Sequence, residues 1–438
     1  MSAVTIIGAG LAGCEAAWQL AEHGVETELW EMKPKRFSPA HQSENFAELI
    51  CSNSFKAQRI DSAAGLLKEE MRRFGSLLLK CADESAVPAG GALAVDRTRF
   101  SSLVTEKILS HPKIHVVREE AKKIPEQGIC IIATGPLTSD VFADQISRLC
   151  GGSLSFYDAA APIVIADSLN REHCFAASRY GRGGDDDYLN CPMNREEYER
   201  FYEALVSAER APVHDFDVRN PKVYEGCMPI EVMAQRGMDT VRYGPLKPVG
   251  LRDPRTGHRP WAVVQLRKEN TAGTLYNLVG FQTNLKFGEQ KRVFGMIPAW
   301  QSAEYARYGV MHRNTFLNSP KILLGDFSLK ERPSLFFAGQ MTGVEGYMES
   351  AASGILAGRN ALHRIRGQAP LILPETTMMG ALSHHVCDSS TPDFQPMGAN
   401  FGVLPPLGEL IRDKRQRYAA LSERAIKELE RILSNLEE

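Results

Sequence analysis

Two cysteines stand where a thiol could do chemistry. Cys51 ends the apolar run in "AELICSNSF" and is followed by three small polar residues, and Cys227 lies in "YEGCMPIE". A thiolate is a strong nucleophile, and a thiol can also exchange a proton with a substrate. The alternative for each is an inert, buried cysteine that only fills space. The choice between these interpretations depends on what the rest of the chain places around the two thiols.

The other seven cysteines form no framework of their own. They lie at positions 14, 81, 130, 150, 174, 191 and 387, and none of the nine forms a CxxC pair. A zinc site or a thioredoxin-type redox pair is therefore not expected, and no metal is predicted. We interpret the seven as structural. Because no secretory signal precedes the first strand, we expect a reduced, cytoplasmic protein.

A phosphate-binding turn stands near the start of the chain. Three glycines form GxGxxG between the apolar strand "VTIIGAG" and a helix, and an acid ends the next strand. The glycines allow a tight turn, close approach of a pyrophosphate and close helix–strand packing, while the acid can bind ribose hydroxyls. The pattern predicts a dinucleotide site, with a ligand-free βαβ turn as the alternative. Its candidate ligands are Gly8, Ala9, Gly10, Leu11, Ala12, Gly13 and Glu31.

Two later segments indicate that the dinucleotide is FAD. "IIATGPLT" and "LFFAGQMTGVEGY" resemble, in motif order, the second and third nucleotide motifs of flavoproteins of the glutathione-reductase type. In that family the last helix points its N-terminus at the flavin, where the helix dipole stabilises negative charge. Many members have aspartate where this chain has Gln340, and no second GxGxxG is present, so we expect NADH or NADPH to bind only transiently. The candidate ligands in these segments are Ala133, Thr134, Gly135, Gly339, Gln340, Gly343 and Gly346.

The elements that must position these residues predict an α/β fold. The nucleotide motifs at both ends of the chain predict one Rossmann-like FAD-binding domain of the glutathione-reductase type, and the aromatic-rich middle predicts an inserted α+β domain. We predict FAD-binding segments at 1–150 and 310–438 and a substrate or RNA domain at 151–309. "AGLLKEEMRRFGSLLLKCA" predicts one helix and "REEYERFYEALVSAE" another. No apolar run reaches the ~18 residues needed to span a bilayer.

Longer strings resemble one family along nearly the whole chain. "AHQSENFAELICSNSF", "VPAGGALAVDRTRF", "GPLKPVGLRDPRTG", "RYGVMHRNTFLNSP" and "FQPMGANFGVLPP" are similar to segments of the folate- and FAD-dependent tRNA (uracil-5-)-methyltransferases. The resemblance implies an enzyme that methylates C5 of the T-loop uridine of tRNA, uridine-54. It implies that the carbon comes from 5,10-methylenetetrahydrofolate and that FAD, reduced by NADH or NADPH, supplies a hydride.

The resemblance also assigns roles to the two thiols. Because C5 of uracil is a poor nucleophile, a thiolate first adds at C6, and the resulting enolate attacks a methylene electrophile before a base removes the C5 proton. We assign Cys227 as the nucleophile and Cys51 as the group that removes the proton or shields the flavin-bound carbon, and the reverse assignment stays open. Cys51 is expected to face the flavin ring. Ser52, Asn53 and Ser54 are expected to hold its thiolate or to line the polar edge of the flavin.

Folate and RNA contacts complete the set of predictions. His312, with Arg313 beside it, is the candidate to stack on the folate pterin, and a hydrogen-bonded structural histidine is the alternative. The net charge of the chain is −2, so RNA must meet local basic patches. The target base must be flipped out of the tRNA elbow. The candidate phosphate contacts are Lys33, Lys35, Arg36, Arg242, Lys247, Lys286, Lys291, Arg292, Lys414, Arg415 and Arg417.

Three other functions remain open from the sequence. The same chemistry could act on an rRNA uridine. A flavin oxidoreductase of a small molecule would explain the nucleotide motifs but not the two thiols. A non-catalytic FAD-containing RNA-binding protein would keep the flavin only as a structural ligand.

Overall fold

The computed structural model describes residues 4–152, 154–181, 184, 187–211, 228–390 and 394–437, and at 154–158, 312–315 and 437 it describes the backbone alone. The described strands are β1 (Val4–Ile7), β2 (Thr27–Trp30), β3 (Ser54–Ala57), β4 (Ala86–Val87), β5 (Ala92–Val95), β6 (Ile114–Val117), β7 (Cys130–Ile132), β8 (Leu154–Ala159), β9 (Ile163–Ile165), β10 (Phe175–Ala176), β11 (Tyr188–Met193), β12 (Ala262–Lys268), β13 (Leu275–Leu278), β14 (Tyr305–Arg307), β15 (Met311–Phe316), β16 (Ser328–Leu329) and β17 (Arg332–Phe337).

The described helices are α1 (Leu11–Glu22), α2 (Ala63–Arg73), α3 (Leu77–Glu84), α4 (Arg97–Ser110), α5 (Asp140–Cys150), α6 (Arg195–Ser207), α7 (Ile230–Ala234), α8 (Met238–Tyr243), α9 (Phe287–Phe294), α10 (Ser319–Ile322), α11 (Tyr347–Ile365), α12 (Met378–Cys387) and α13 (Lys414–Glu437). Within these described ranges, no helix combines the length and the apolar character needed to cross a bilayer.

A six-stranded sheet carries the nucleotide motifs. Its order is β16-β17-β7-β1-β2-β6, and every neighbouring pair is parallel except β16–β17. The inner strands are apolar because both of their faces are covered. Since the carboxyl ends of parallel strands meet at one edge, Gly8, Glu31, Ala133 and Gly339 all lie at that edge, just after β1, β2, β7 and β17. The predicted α/β class and parallel sheet are confirmed.

Two helices pack against each other almost backbone to backbone. A Cβ atom added to Gly354 of α11 would lie 2.2 Å from the carbonyl oxygen of Ala12 in α1. One added to Gly358 would lie 2.9 Å from the carbonyl oxygen of Ala16. Side chains normally hold packed helices 8–10 Å apart. Without them the two helices are in direct contact, which fixes the start of α1 relative to the start of α11.

The prediction of one helix over "AGLLKEEMRRFGSLLLKCA" was wrong, because the chain forms α2 and α3 there. Gly75 lies between them with a φ of +72°, a conformation that ends helices and that glycine adopts without strain. The side chain of Ser76 then caps α3 by accepting the N–H of Leu79 at 3.2 Å. The apolar spacing continues across the break, so the pattern alone did not reveal it.

A second six-stranded sheet, which we call the aromatic sheet, occupies the middle of the chain. Its order is β10-β11-β12-β13-β9-β14, with antiparallel pairing throughout. It packs on a core of large aromatic side chains that includes the fully buried Phe281, Phe294 and Trp300. The helix predicted over "REEYERFYEALVSAE" is confirmed as α6, which begins with a complete capping box at Asn194 and Glu197.

Two smaller sheets complete the structure. Strands β3, β5 and β4 form one, and the antiparallel ribbon of β8 and β15 forms the other. The strands of the aromatic sheet all fall between β7 and β16 in the chain. The ribbon pairs Leu154–Ala159 with Met311–Phe316, one strand on either side of residue 309. The division of the chain at residues 150 and 309 therefore stays a prediction.

Side chains join the three-stranded sheet to the aromatic sheet beside Cys51. Arg97, at the start of α4, makes a bidentate ion pair with Glu269, with N···O distances of 2.6 and 3.2 Å. The fully buried Asn53 donates to the carbonyl oxygens of Val95 at 2.9 Å and Lys268 at 3.0 Å. The loop that carries Cys51 is thereby fixed to both sheets.

Candidate functional site

The glycines of the first turn divide into two that the fold needs and one that a ligand needs. Gly8 has a φ of +103°, and a Cβ atom there would lie 2.5 Å from the carbonyl oxygen of Ala133. A Cβ atom on Gly13 would lie 1.8 Å from the carbonyl oxygen of Gly8. At Gly10 a Cβ atom would meet nothing within 4 Å. Gly10 therefore leaves open the backbone at the start of α1, where a pyrophosphate binds in this type of turn.

Glu31 is held in place by backbone donors. Its carboxylate accepts the N–H of Ala9 at 3.1 Å and the N–H of Lys33 at 3.0 Å, and the residue is 8% exposed. Two carboxylate oxygens offer about four acceptor positions. Both known partners are backbone groups, so acceptor capacity remains for ribose hydroxyls.

Two adjoining clefts run along the carboxyl edge of the parallel sheet. The Glu31 cleft is lined by Gly8, Ala9, Gly10 and Glu31, and holds about 670 Å³ of empty space. The Cys51 cleft holds about 890 Å³. The two clefts share Gly10, Ala133 and Thr134 in their walls. Predicted ligands that line the Cys51 cleft but not the Glu31 cleft are Leu11, Ala12, Gly135, Gly339 and Gln340.

Three predicted ligands lie away from these two clefts. Gly13 lies beneath the turn, against Gly8. Gly343, with a φ of +89°, would place a Cβ atom 2.3 Å from the ring of Phe394. Gly346 precedes α11 and lines a different cleft. The first two positions are explained by packing, and the cofactor contacts of the whole set stay a prediction.

Tyr347 is the hydrogen-bond partner of the Cys51 thiol. Its hydroxyl oxygen lies 3.1 Å from Sγ of Cys51, and it accepts the backbone N–H groups of Cys51 at 2.8 Å and Ser52 at 3.2 Å. A phenol oxygen has two acceptor positions and one O–H. Because both acceptor positions are taken, the O–H donates to the sulfur. Burial, followed by the negative field of Cys51, raises the pKa of Tyr347 well above its usual value, so the donor keeps its proton.

A third cleft meets the Cys51 cleft at Cys51. The Lys56 cleft is lined by Cys51, Lys56, Gln282, Glu349 and residues at the start of α11, and holds about 1010 Å³ of empty space. Lys56 and Glu349 form an ion pair across it at 3.1 Å. The Cys51 thiol therefore stands at the border between the Cys51 cleft and a separate cleft.

Two arginines fix the backbone just before Cys51. Arg97 donates to the carbonyl oxygens of Leu49 and Ile50, both at 2.9 Å, and Arg307 donates to that of Ile50 at 2.7 Å. Burial, followed by the positive charge of Arg97, lowers the pKa of Arg307 to about 10. Burial also opposes the charge of Arg97, but Glu269 outweighs it and the pKa of Arg97 is raised. Two cations thus stay close together beside the thiol.

The polar residues after Cys51 anchor the loop that carries it. Asn53 uses its amide on the backbone of both sheets, and its oxygen accepts Nε of Arg267 at 2.8 Å. Ser52 accepts Arg267 at 3.1 Å and caps the N–H of Ser54. These groups anchor the loop, so the expectation that Asn53 would hold the thiolate was wrong.

Three of the predicted site residues lie, in whole or in their side chains, outside the part of the chain that the structure describes. Cys227 lies outside the described residues, and the side chains of His312 and Arg313 on β15 lie outside them too. The described chain resumes at Met228, and the N–H of Ile230 donates to the carbonyl oxygen of Gln282 at 2.7 Å. The roles of Cys227, His312 and Arg313 stay predictions.

The remaining described cysteines differ from Cys51 in their surroundings. Cys14 and Cys130 are fully buried, and burial raises the pKa of each thiol, to about 12 for Cys130. Burial likewise raises the pKa of Cys81 to about 12. A thiol that stays protonated is a poor nucleophile, which supports the structural interpretation of these three.

The predicted phosphate contacts divide by exposure. Lys33 is 4% exposed, and its ammonium donates to the carbonyl oxygen of Asn45 at 2.6 Å and to Glu48 at 3.3 Å, so its prediction as an RNA contact was wrong. A run of cations in sequence does not reveal which member folds inward. Lys35 pairs with Glu119 and Lys286 with Glu209, and both lysines stay exposed.

Sequence reasoning missed Tyr347, Arg97 and Arg307. Tyr347 lies within "GVEGYMESAASG", at the first position of a glycine-started helix, and this place at a helix N-terminus beside a nucleotide motif was an available signal. No local signal pointed to the arginines, because their partners are distant in the chain.

Most of this chain matches one protein family. Residues 3–369 match the family described as glucose inhibited division protein A. A relative from Desulfitobacterium hafniense (strain Y51), named methylenetetrahydrofolate--tRNA-(uracil-5-)-methyltransferase TrmFO, is 59% identical over 98% of both chains. Relatives of the same name from Acetivibrio thermocellus and Geobacter sulfurreducens are 56% and 57% identical over 98% and 99% of both chains.

Solved structures show the same fold. Two crystal forms of Aquifex aeolicus GidA superpose with TM-scores of 0.68 and 0.70 at 16% identity. They cover 99% and 98% of this chain, which covers 76% and 75% of theirs. With its two thiol strings, its dinucleotide edge and relatives of nearly 60% identity, the chain belongs to the TrmFO family of methylenetetrahydrofolate--tRNA-(uracil-5-)-methyltransferases.

Proposed function

We propose that this chain methylates C5 of uridine-54 in the T-loop of tRNA. The carbon comes from 5,10-methylenetetrahydrofolate, and the cofactor is FAD, reduced by NADH or NADPH. The position of Cys51 carries the proposal, because this thiol lines both the Cys51 cleft and the Lys56 cleft. A thiol between a cofactor cleft and a second cleft is the arrangement that chemistry on a nucleobase beside a flavin requires.

The residues of the Glu31 and Cys51 clefts fit FAD. Gly10 leaves the start of α1 open for the pyrophosphate, and Glu31 has acceptor capacity for the ribose. Tyr347 and Ser350, in the first turn of α11, line the Cys51 cleft, so the positive end of that helix faces the position of the ring. When bound, FAD supplies the hydride that completes the methyl group.

The two thiols have different roles in the reaction at the uracil base. The thiolate of Cys227 adds to C6, and the electron pair of the C5–C6 double bond makes C5 the nucleophile that bonds to the donated carbon. Cys51 then takes the proton from C5 while the bond from the donated carbon to the folate nitrogen breaks, and after a hydride has reduced the resulting methylene the bond between C6 and Cys227 breaks. Tyr347 donates to the sulfur of Cys51, and this donor stabilises the anionic form that accepts the proton.

The chain after Cys227 supports its role. Ile230, three residues later, is bonded to Gln282, and Gln282 lines the Lys56 cleft together with Cys51. Three residues span at most about 11 Å. The described chain that follows Cys227 therefore starts near the Lys56 cleft.

We propose His312 and Arg313 as contacts of the folate, and residues 151–309 as the domain that holds RNA. β15 follows β14, whose last residue, Arg307, bonds to the carbonyl oxygen of Ile50. The strand therefore starts close to the Cys51 loop. We also propose that the enzyme works in the cytoplasm, where tRNA and reduced folate are present together.

A fluorinated substrate tests the division of work. In 5-fluorouridine-substituted tRNA the fluorine prevents proton loss, so the nucleophilic thiol stays attached and shifts the band on a denaturing gel. We expect Cys227→Ala to give no shifted band and Cys51→Ala to keep it. Cys150→Ala, a half-buried thiol outside the clefts, is the matched control and behaves as the wild type.

The opposite pattern, a band lost in Cys51→Ala and kept in Cys227→Ala, would reverse the two roles. The T-loop target is tested separately by mass spectrometry of nucleosides from tRNA incubated with enzyme, 5,10-methylenetetrahydrofolate and NADH. Methyl transfer from S-adenosylmethionine without folate, or to rRNA alone, would contradict the proposal.

A further inference from the structure

Four arginines and a tryptophan form a cationic surface on the aromatic sheet, away from the cofactor clefts. We call Arg195, Arg242, Arg255, Arg259 and Trp261 the arginine cluster. All five line one open cleft, which the start of α6 and the turn before β12 enclose. Resting on the proposed function, we propose that the arginine cluster binds the phosphate backbone of the tRNA at a distance from the target uridine.

The lining of this cleft carries more positive than negative charge, although two of its arginines pair with carboxylates outside it, Arg195 with Glu199 at 2.7 Å and Arg242 with Asp239 at 3.7 Å. The cleft itself contains two carboxylates, Glu197 and Asp253. Glu197 is engaged by the backbone N–H of Asn194 at 2.7 Å, and Asp253 by Arg255 at 2.6 Å. Arg259 is exposed and makes no ion pair with any residue in the described ranges. On a chain of net charge −2, this is a local patch of the kind that an anionic partner needs.

The chemistry of the cluster favours phosphate. All four cations are arginines, and the planar guanidinium can make two parallel hydrogen bonds to one phosphate, which an ammonium cannot. The guanidinium of Arg242 lies 3.8 Å from the ring centroid of Trp261, and that of Arg195 lies 5.4 Å from it. Stacking on the indole limits the positions that these side chains can take.

The turn that carries Arg255 and Arg259 is stabilised by hydrogen bonds between its own backbone groups. The N–H of Asp253 donates to the carbonyl oxygen of His258 at 2.9 Å, and the N–H of Gly257 donates to that of Asp253 at 2.8 Å. Asp253 is 4% exposed, so it anchors the turn while the cations point outward. A turn already in its bound shape loses little entropy when a ligand binds.

The distance to Cys51 sets the size of the ligand. Trp261 directly precedes β12, and Lys268 at the other end of β12 accepts the side chain of Asn53. Seven strand residues span roughly 23 Å at about 3.3 Å each. A ligand that reaches from the arginine cluster to the thiol is therefore a polymer, which fits tRNA and not a lone nucleotide.

Salt-dependent binding of unmodified tRNA to the FAD-loaded enzyme tests the proposal. Arg195→Gln/Arg259→Gln removes two exposed cations, of which Arg195 pairs with Glu199 at the surface, and leaves Arg242 and Arg255 in place. We expect tRNA to bind about tenfold more weakly, and the slope of log K against log salt to fall by about 2. The KM for 5,10-methylenetetrahydrofolate and the rate of flavin reduction by NADH stay unchanged.

Two further variants control for charge alone. Lys427→Gln/Arg431→Gln removes the same charge from exposed positions on α13 and leaves tRNA binding unchanged. Arg195→Lys/Arg259→Lys keeps most of the salt slope. If the glutamine variant binds tRNA as the wild type does, the proposal is overturned while the proposed function stands. A raised KM for folate with unchanged tRNA binding would reassign the cluster to the folate tail. If the wild type binds no tRNA, both the proposed role of the arginine cluster and the proposed function are wrong.

Discussion

The cofactor clefts and the arginine cluster recognise anions by opposite means. At the parallel sheet, the groups that would face a dinucleotide are backbone N–H groups at helix starts and a carboxylate held by two N–H donors. At the aromatic sheet, the binding groups are guanidinium side chains, of which those of Arg195, Arg255 and Arg259 are exposed. Buried, fixed dipoles are little affected by salt, whereas exposed charges are screened by it. The first region should therefore respond to changes of shape and of pH, and the second to ionic strength.

The largest effect is expected from two glycines in the same turn. A Cβ atom on Gly13 would lie 1.8 Å from a carbonyl oxygen, while one on Gly10 would meet nothing within 4 Å. Gly13→Val should destabilise the fold by about 3 kcal/mol or more. Gly10→Val should keep the melting temperature of the FAD-free protein and lose bound flavin. Flavin absorbance per chain, measured beside thermal unfolding, separates the two, and full flavin occupancy in Gly10→Val would place the pyrophosphate elsewhere.

Tyr347→Phe tests whether the hydroxyl of Tyr347 makes the Cys51 thiol more reactive. The variant removes the donor to Sγ of Cys51 and the acceptor of two backbone N–H groups. Unpaired buried N–H groups cost about 1–3 kcal/mol. Alkylation of Cys51 by iodoacetamide at fixed pH should slow about tenfold. Tyr305→Phe, which removes only a 3.3 Å bond to Gln290, serves as control. An unchanged alkylation rate would mean that the hydroxyl serves only the backbone.

Lys68 should give the cofactor region its pH dependence. Its ammonium is buried and donates to the carbonyl oxygens of Phe55 at 2.7 Å and Ala64 at 2.8 Å. Burial lowers its pKa from 10.5 to about 7. Between these values the unfolded chain binds more protons than the folded one, so stability rises with pH, by at most ~1.4 kcal/mol per unit.

The measurement for Lys68 compares the free energy of unfolding of the wild type and Lys68→Met from pH 7 to pH 10. The wild type should gain stability relative to the variant as pH rises, and a constant difference would show that Lys68 keeps an ordinary pKa in the folded protein.

The smallest effect is expected at Lys286, an exposed cation of the aromatic-sheet region. It pairs with Glu209 at 2.6 Å, and both side chains are more than half exposed. Such surface pairs contribute about 0–1 kcal/mol. Lys286→Gln should change the unfolding free energy by less than about 0.5 kcal/mol in urea denaturation. A larger loss would show that this region also depends on fixed charges.

The sequence predicted the cofactor edge better than the surroundings of the Cys51 thiol. The reason is the separation along the chain between the residues that form each of them. GxGxxG and the strand before it encode a local backbone shape, so Gly8, Gly10 and Glu31 could be placed from a few neighbours. The contact between Cys51 and Tyr347 joins residues 296 positions apart, and no periodicity reports such a pair. The arginines that hold the Cys51 loop were missed for the same cause.

Charge was the least predictable property. Lys33 lies in a basic run, yet it folds inward onto Glu48. The prediction that Arg242 contacts RNA came from composition alone. In the structure, stacking on Trp261 gives this side chain a defined position. Whether a cation is buried, paired or free depends on residues that approach it only in the folded chain.

The glycine contact between α1 and α11 restricts how the enzyme can move. Helices slide past one another by readjusting the side chains between them, and at Gly354 and Gly358 there is no such layer. The start of α1 and the start of α11 therefore move as one rigid unit, and Tyr347 ties Cys51 to that unit. Opening and closing for a substrate must come from a hinge outside this frame. Throughout turnover, the spacing between the pyrophosphate turn and the thiol should stay constant.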